Sequence, residues 1–337
     1  MTVNIIGMPR DVYKGLPTTL CAGCGHNSIT NHIIKALYEF GVPPHRLAKM
    51  SGIGCSSKTP AYFVDQAHGF NGLHGRMPSA ATGAKLANRD LLVLGISGDG
   101  DTASIGLGQY CHLVRRNLDC TYLIENNGCY GLTKGQFSAT ADTGSKQKNG
   151  RVNDYAAIDL CGLAIELGGT FVARSFSGDG KQLVPLLEAA FAHRGTAVID
   201  IVSPCVTFND HVGSTKSYAY VKEHEFALHA PDFIVASKEV VADYEPGTVR
   251  DIVFDDGSHV LLRKIDRDYD PTSRLGALNV IHETRTRGEL VTGLLFVDTS
   301  AQDLCARESM ASAPLAGLGE EDLRISRHDW EALTAPA

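Results

Sequence analysis

The sequence predicts an α/β fold built on a doubly wound, mostly parallel sheet, and three observations predict it. Apolar runs of strand length, Leu91 to Ser97, Cys120 to Glu125, Thr170 to Ser175 and Ala197 to Val202, alternate with stretches whose apolar residues recur at helical spacing. The first run, LLVLGIS, is apolar at nearly every position rather than at alternate ones, as a strand covered on both faces requires. The glycine-, asparagine- and cysteine-bearing loops all follow strand ends, where open α/β sheets bind their ligands.

Taken in order, Ile29, Ile33, Leu37 and Phe40 mark a helix over 28–40, with Asn27 or Ser28 as its cap and Gly41 as its stop. After Pro43 and Pro44, a short strand from Leu47 to Ser51 runs into the loop Gly52-Ile53-Gly54-Cys55-Ser56-Ser57-Lys58, and a helix covers 79–88. The strand from Leu91 ends in Gly98-Asp99-Gly100-Asp101, and Leu107, Tyr110, Cys111 and Val114 keep helical spacing behind it. The strand from Cys120 ends in Asn126-Asn127-Gly128. Residues 126–150 then form a polar loop too long for a plain connector, which reads as a binding or lid segment. A helix over 154–167, a strand ending in Phe176-Ser177-Gly178-Asp179, a helix over 181–193 and a strand running into Ser203-Pro204-Cys205 complete the alternation. Beyond Phe208, the stretches 249–254 and 259–265 flank Asp255-Asp256-Gly257-Ser258 as a β-hairpin, followed by a helix over 275–286 and a strand over 290–297. The expected division is a ligand-binding domain over 1–208, a smaller C-terminal α+β region over 209–300 and a poorly specified tail over 301–337.

Composition narrows the partners. In 337 residues, 31 Lys and Arg against 38 Asp and Glu give a net charge of −7, which argues against a nucleic-acid surface or a polybasic membrane patch. No apolar run approaches a membrane span and no basic-then-apolar leader opens the chain, so a cytoplasmic protein is expected. Nine cysteines, an odd number, make a disulfide framework improbable and turn attention to metal-binding thiols. Cys111, Cys120, Cys129, Cys161 and Cys305 read as small hydrophobes in their side chains. Cys21, Cys24, Cys55 and Cys205 sit beside glycines and prolines in loops. Their four thiolates suit either Zn²⁺ or a [4Fe-4S] cluster.

The Gly98-Asp99-Gly100-Asp101 loop and the Asn126-Asn127 pair one strand later have the chemistry of a metal–diphosphate site. Glycines let the backbone approach phosphate oxygens, a helix N-terminus adds donors, and carboxylate with amide oxygen suits Mg²⁺. Asp99 and Asn127 would supply side-chain oxygens and Cys129 its backbone carbonyl.

With these motifs in place, the sequence resembles the diphosphate-binding half of thiamine enzymes. More narrowly, CAGCGH (21–26), GIGCSSK (52–58), LHGR (73–76), GDGD (98–101), NNGCYGLTKGQ (126–136) and SPCVTFN (203–209) together resemble the β subunit of 2-oxoacid:ferredoxin oxidoreductases, over about residues 15–300. The resemblance implies a [4Fe-4S] cluster on Cys21, Cys24, Cys55 and Cys205, rather than zinc. It also implies thiamine diphosphate surrounded by Ile53, Gly54, Cys55, Ser56, His74, Gly100, Asp101, Gly131 and Leu132, and Lys58 holding the substrate carboxylate. His26 and Arg76 would be phosphate or cluster neighbours or purely structural. Residues 138–150 depart from the family's Ser-Pro-Thr-Thr run. The implied reaction is CoA-dependent oxidative decarboxylation of a 2-oxoacid, with electrons passed to ferredoxin and reductive carboxylation as its reverse; 2-oxoglutarate is the expected substrate and pyruvate or branched-chain oxoacids the alternatives. A non-redox thiamine lyase would keep the GDGD and NN motifs without needing the four thiolates. A thiamine site also needs an aminopyrimidine-binding domain with an activating glutamate, expected on an α subunit within a dimer of heterodimers.

Overall fold

The computed structural model describes residues 2–147, 150–205, 241–253 and 259–335, with His259 described by its backbone alone. Helix α1 (Gly25–Phe40) leads to β1 (Leu47–Ser51), the edge strand β2 (His68–Asn71), α2 (Met77–Ala87), β3 (Leu92–Gly98), α3 (Leu107–Arg116) and β4 (Cys120–Asn126). The two-residue strands β5 (Cys129–Tyr130) and β6 (Gln136–Phe137) form a small hairpin. They are followed by α4 (Leu160–Glu166), β7 (Phe171–Phe176), α5 (Gly180–Ala192) and β8 (Thr196–Val202). The C-terminal elements are β9 (Val249–Val253), β10 (His259–Lys264), α6 (Arg274–Thr286), β11 (Glu289–Val297) and the short helices α7 (Leu304–Arg307), α8 (Glu320–Leu323) and α9 (Arg327–Thr334).

Nine strands form one sheet in the order β2-β1-β3-β4-β8-β7-β11-β10-β9. The six from β2 to β7 are parallel neighbours; β11 joins antiparallel to β7, so the C-terminal strands extend the same sheet. Period-two alternation assigns side chains to the two faces. Tyr122, Ile124 and Val198 pack with Met77, Leu113, Ile165 and Ile281 of α2, α3, α4 and α6. Leu123, Ala197 and Ile199 pack with Ile33, Leu37, Leu183 and Leu187 of α1 and α5. Both faces are covered, and the apolar runs of the central strands follow from that.

Several boundaries differ from expectation for identifiable reasons. Helix α1 begins at Gly25 with Cys24 at its cap position, so Asn27 and Ser28 lie inside it. A Cβ on Gly25 would stand 2.6 Å from Ser203 Oγ and 2.7 Å from Ser177 Oγ, so the first turn fits between the ends of β8 and β7 only because it starts with glycine. Helix α4 starts at Leu160, not near Asp154, because Asp159 caps it by accepting from Gly162 N–H at 2.9 Å. Strand β2, wholly exposed, and a π turn over Gly100–Ile105 were not anticipated. The hairpin's strands pair as expected, while Phe254 and the turn at 255–258 lie outside the described residues, as does the boundary at 208. The tail is partly packed: Leu304 and Cys305 are buried and Arg89 Nη1 donates to Met310 O at 2.8 Å, whereas α8 and α9 bury nothing. Among the described residues, no helix is long and apolar enough to cross a membrane. All nine cysteines lie among the described residues, and none of them is in a disulfide.

Candidate cofactor site

The parallel run of β1, β3, β4 and β8 carries its loops to one edge of the sheet, where a cleft of about 90 Å³ opens. Its walls include Ile53, Gly54, Cys55, Ser56, His74, Gly100, Asp101, Gly131 and Leu132, every residue expected around thiamine diphosphate, together with Asp99, Asn127 and Cys129. A roomier hollow of about 870 Å³ lies between 134–139 and 147–158, and none of the expected site residues lines it.

Asp101 ties the cleft together. Its Oδ1 accepts from Ile53 N at 3.3 Å and Gly75 N at 2.7 Å and bonds His74 Nδ1, while Oδ2 accepts from Ser97 Oγ at 2.6 Å. The loop after β1, the 74–75 turn and the π turn therefore hang on one buried carboxylate. Asp101 acts on the cleft through its neighbours. The π turn, closed by Gly106 N–H to Asp101 O at 2.9 Å, is the kind of local irregularity that helices carry at functional sites. Gly52 and Gly54 serve the same loop: a Cβ on Gly52 would run into the Asp101 carboxylate, and Gly54 has a φ of +126°.

Asp99 and Asn127 face each other from the ends of β3 and β4. Asn127 N–H donates to Asp99 Oδ1 at 3.1 Å, and Asn127 Oδ1 accepts from Cys129 N–H at 3.1 Å. Ser138 Oγ and Thr140 Oγ1, the latter at 2.8 Å, donate to Asp99 Oδ2. A carboxylate and an amide oxygen beside the start of a helical turn fit Mg²⁺ with a diphosphate.

The thiols converge beside this cleft. A Cβ on Gly131 would stand 3.5 Å from Cys55 Sγ and 3.7 Å from Cys205 Sγ. Burial pushes the Cys24 thiol well above its ordinary pKa, and the nearby Cys205, Glu125 and Cys21 add to this; burial with Cys205 and Cys21 raises Cys55 to about 11, against Lys58. Cys129 hydrogen-bonds Cys205 through its own thiol, so its side chain belongs to this group as well as its backbone to the cleft. Among the described residues, no three His, Cys, Asp or Glu side chains form a metal-chelating group as they stand. The donor set, four loop thiols of which two share Gly131 as neighbour, fits a thiolate-ligated cluster. Lys58 lies next to the quartet on the 3₁₀ turn Ser56–Tyr62 and not on the cleft wall.

Two cleft residues escaped the sequence reading or were left without a role. Glu125, at the end of β4, is fully buried, and both its oxygens lie 3.0 Å from Thr59 Oγ1. Burial pushes its carboxyl well above the usual range, against the Thr59 bond. His26 lies 3.7 Å from it, with Nδ1 2.6 Å from Ser203 Oγ, and burial lowers its pKa to about 4. A glutamate inside an apolar strand was the available signal for Glu125; the partners of Ser138 and Thr140 left none in the local pattern.

This site is of the thiamine-diphosphate-binding class: residues 52–201 match the family model described as "Thiamine pyrophosphate enzyme, C-terminal TPP binding domain". The chain is 36% identical over 220 residues to a "2-oxoglutarate synthase subunit KorB" of Methanocaldococcus jannaschii, covering 64% of this chain and 80% of that one. It is 44% identical over 191 residues to a "2-oxoacid:ferredoxin oxidoreductase subunit beta" of a Sulfolobus species, covering 56% of this chain and 63% of that relative's length. A solved structure, "2-oxoglutarate:ferredoxin oxidoreductase from Magnetococcus marinus with 2-oxoglutarate, coenzyme A and succinyl-CoA bound", superimposes with a TM-score of 0.74 at 28% identity, covering 98% of this chain and 97% of that one. The chain belongs to the family of 2-oxoacid:ferredoxin oxidoreductase β subunits.

Proposed function

We propose that this chain is the β subunit of a cytoplasmic enzyme that decarboxylates 2-oxoglutarate oxidatively to succinyl-CoA and CO₂ and passes the electrons to ferredoxin, the reverse being reductive carboxylation. The observation that carries the reading is the double role of Cys55: its residue lines the oxygen-donor cleft and its thiol stands with Cys205 in the sulfur group. A carbon-centred cofactor and a one-electron acceptor would thus be neighbours. The relatives named as 2-oxoglutarate synthase subunits, and the 2-oxoglutarate-bound solved structure, favour that substrate.

When bound, thiamine diphosphate supplies a nucleophilic carbon and an electron sink, and a [4Fe-4S] cluster accepts electrons one at a time. Asp99, Asn127 and the Cys129 carbonyl would hold Mg²⁺ on the diphosphate. The backbones of Ile53, Gly54, Gly100 and Gly131 line the space for the cofactor, and Cys21, Cys24, Cys55 and Cys205 would ligate the cluster. Lys58 would neutralise the substrate carboxylate, an attraction that strengthens as the closing site excludes water. An α subunit carrying the aminopyrimidine domain and its glutamate would complete the site in a dimer of heterodimers. The exposed apolar side chains around the cleft, Ile53, Leu73, Ile105 and Leu132, support a protein partner there. The test is to co-purify the chain with its endogenous partner under anaerobic conditions and to assay viologen reduction with 2-oxoglutarate, pyruvate and 2-oxoisovalerate. CoA-dependent reduction fastest with 2-oxoglutarate is expected. Faster turnover of another acid overturns the substrate assignment, and an iron-free complex overturns the redox reading.

A further inference from the structure

The Asn126-Asn127 pair divides its work. Asn127 donates its backbone N–H to Asp99 at the cleft, but the Asn126 side chain lies on the sheet face shared with β8 and β7: its Nδ2 donates to Asp200 Oδ1 at 2.9 Å, and Asp200 Oδ2 accepts from Arg174 Nε at 2.9 Å. Arg174 Nη2 in turn donates to Asp159 Oδ1 at 2.7 Å, the residue that caps α4. On its other side, Asn126 Oδ1 lies 3.0 Å from Thr140 Oγ1, which is also 2.8 Å from Asp99 Oδ2 and 3.0 Å from Ser138 Oγ. Asp99, Asn126, Ser138, Thr140, Arg174 and Asp200 are all buried.

We propose that Ser138 and Thr140, braced through Asn126 and Asp200 by Arg174, are positioning residues that fix the Asp99 carboxylate for a divalent cation. The inference rests on the metal reading above. A carboxylate's terminal torsion is soft and nearly two-fold, so an unbraced Asp99 would sample rotations that misdirect its oxygens. Thr140 has one hydroxyl proton for two acceptors, Asp99 and Asn126, and shares it between them; Ser138 gives its proton to Asp99. Oδ2 is thereby held on the 138–140 segment, while Oδ1 is kept on the Asn127 N–H side. The segment is itself pinned, because Ala139 N donates to Ser104 Oγ at 3.0 Å and Ile158 N to Ala139 O at 2.8 Å. Partners of this kind typically change metal affinity by about 10–100-fold.

The experiment uses the purified complex, stripped of thiamine diphosphate and Mg²⁺ by chelation. It measures cofactor retained in equilibrium dialysis as a function of Mg²⁺, with melting of the stripped protein alongside. Thr140→Val should raise the half-saturating Mg²⁺ concentration about tenfold, equivalent to about 1.4 kcal/mol. Thr140→Ser should restore most of the affinity. Thr140→Val also takes a donor from the buried Asp99 and Asn126 oxygens and should melt lower when stripped, so Ser138→Ala decides: weaker Mg²⁺ dependence supports the brace and wild-type dependence overturns it. If Thr140→Val and Ser138→Ala both bind as wild type while Asp99→Ala loses the Mg²⁺ dependence, the brace fails and the metal reading stands. If Asp99→Ala also binds as wild type, the metal reading itself fails.

Discussion

Replacing Lys49 by Met tests how the cleft's first wall is held. Lys49 lies on β1, is 5% exposed, and its Nζ donates at 2.8 Å to each of the carbonyls of Pro60, Phe63 and Val64. Those acceptors close the segment that carries Cys55, Ser56 and Lys58. Met fills similar volume but leaves three inward-facing carbonyls without this donor, at about 1–3 kcal/mol each. Against that stands relief of the ammonium's burial, which pulls its pKa from 10.5 to about 8 and costs the charged form about 3 kcal/mol. The net expected loss is about 3 kcal/mol, or roughly 4 °C of melting temperature for a chain of this size. A pH signature accompanies it. The folded state releases the Lys49 proton from about pH 8 and the unfolded state only near 10.5, so between these values the unfolded state binds more protons and wild-type stability rises with pH. Lys49→Met lacks this rise, so its deficit should widen from pH 8 to 10. Denaturant titrations of both proteins across that range measure it. Equal melting temperatures at pH 7.5 and a constant difference up to pH 10 would refute the reasoning.

Gly52→Ala drives a Cβ into the Asp101 carboxylate and should cost about 1–3 kcal/mol; loss of thiamine-diphosphate retention beyond the drop in stability is the expected sign, and wild-type retention would show that Asp101 does not organise the cleft. Glu125→Gln should fold with little change in melting temperature below about pH 4.5, where the carboxyl is protonated in the folded and unfolded states alike because burial raises its folded pKa. The wild-type contribution is complete below about pH 4.5 and declines as pH rises toward the folded pKa. The Gln variant should therefore gain on wild type with rising pH, and parallel stability curves would contradict this. Cys205→Ser should remove iron from the anaerobically purified complex and abolish viologen reduction; full iron content and activity would take Cys205 out of the cluster assignment.

What was legible in the sequence is what chain-local chemistry dictates. Asp99, Asn127 and the glycine loops announce themselves because GDGD and NN end consecutive strands, whereas either motif alone would read as a common turn, and the structure brings them to one cleft. The features that were missed depend on distant chain. Nothing in GHNSITNHI forbids a cap at Asn27; the start at Gly25 follows from Ser177 and Ser203, more than 150 residues away in sequence. Strand β2, HGFN, has no apolar alternation because neither face of an exposed edge is buried, and only pairing with β1 defines it. Asp159 falls inside the helix expected over 154–167 and looks like an interior residue of it until Arg174 and the α4 cap both claim it. The same logic explains why Asn126 and Asn127 read as one motif yet face different ways. Alternation along β4 turns successive side chains to opposite sides, so a pair that is adjacent in sequence divides between the cleft and the sheet face that Asp200 and Arg174 share. For Asn126 the partner on that side is the buried carboxylate of Asp200.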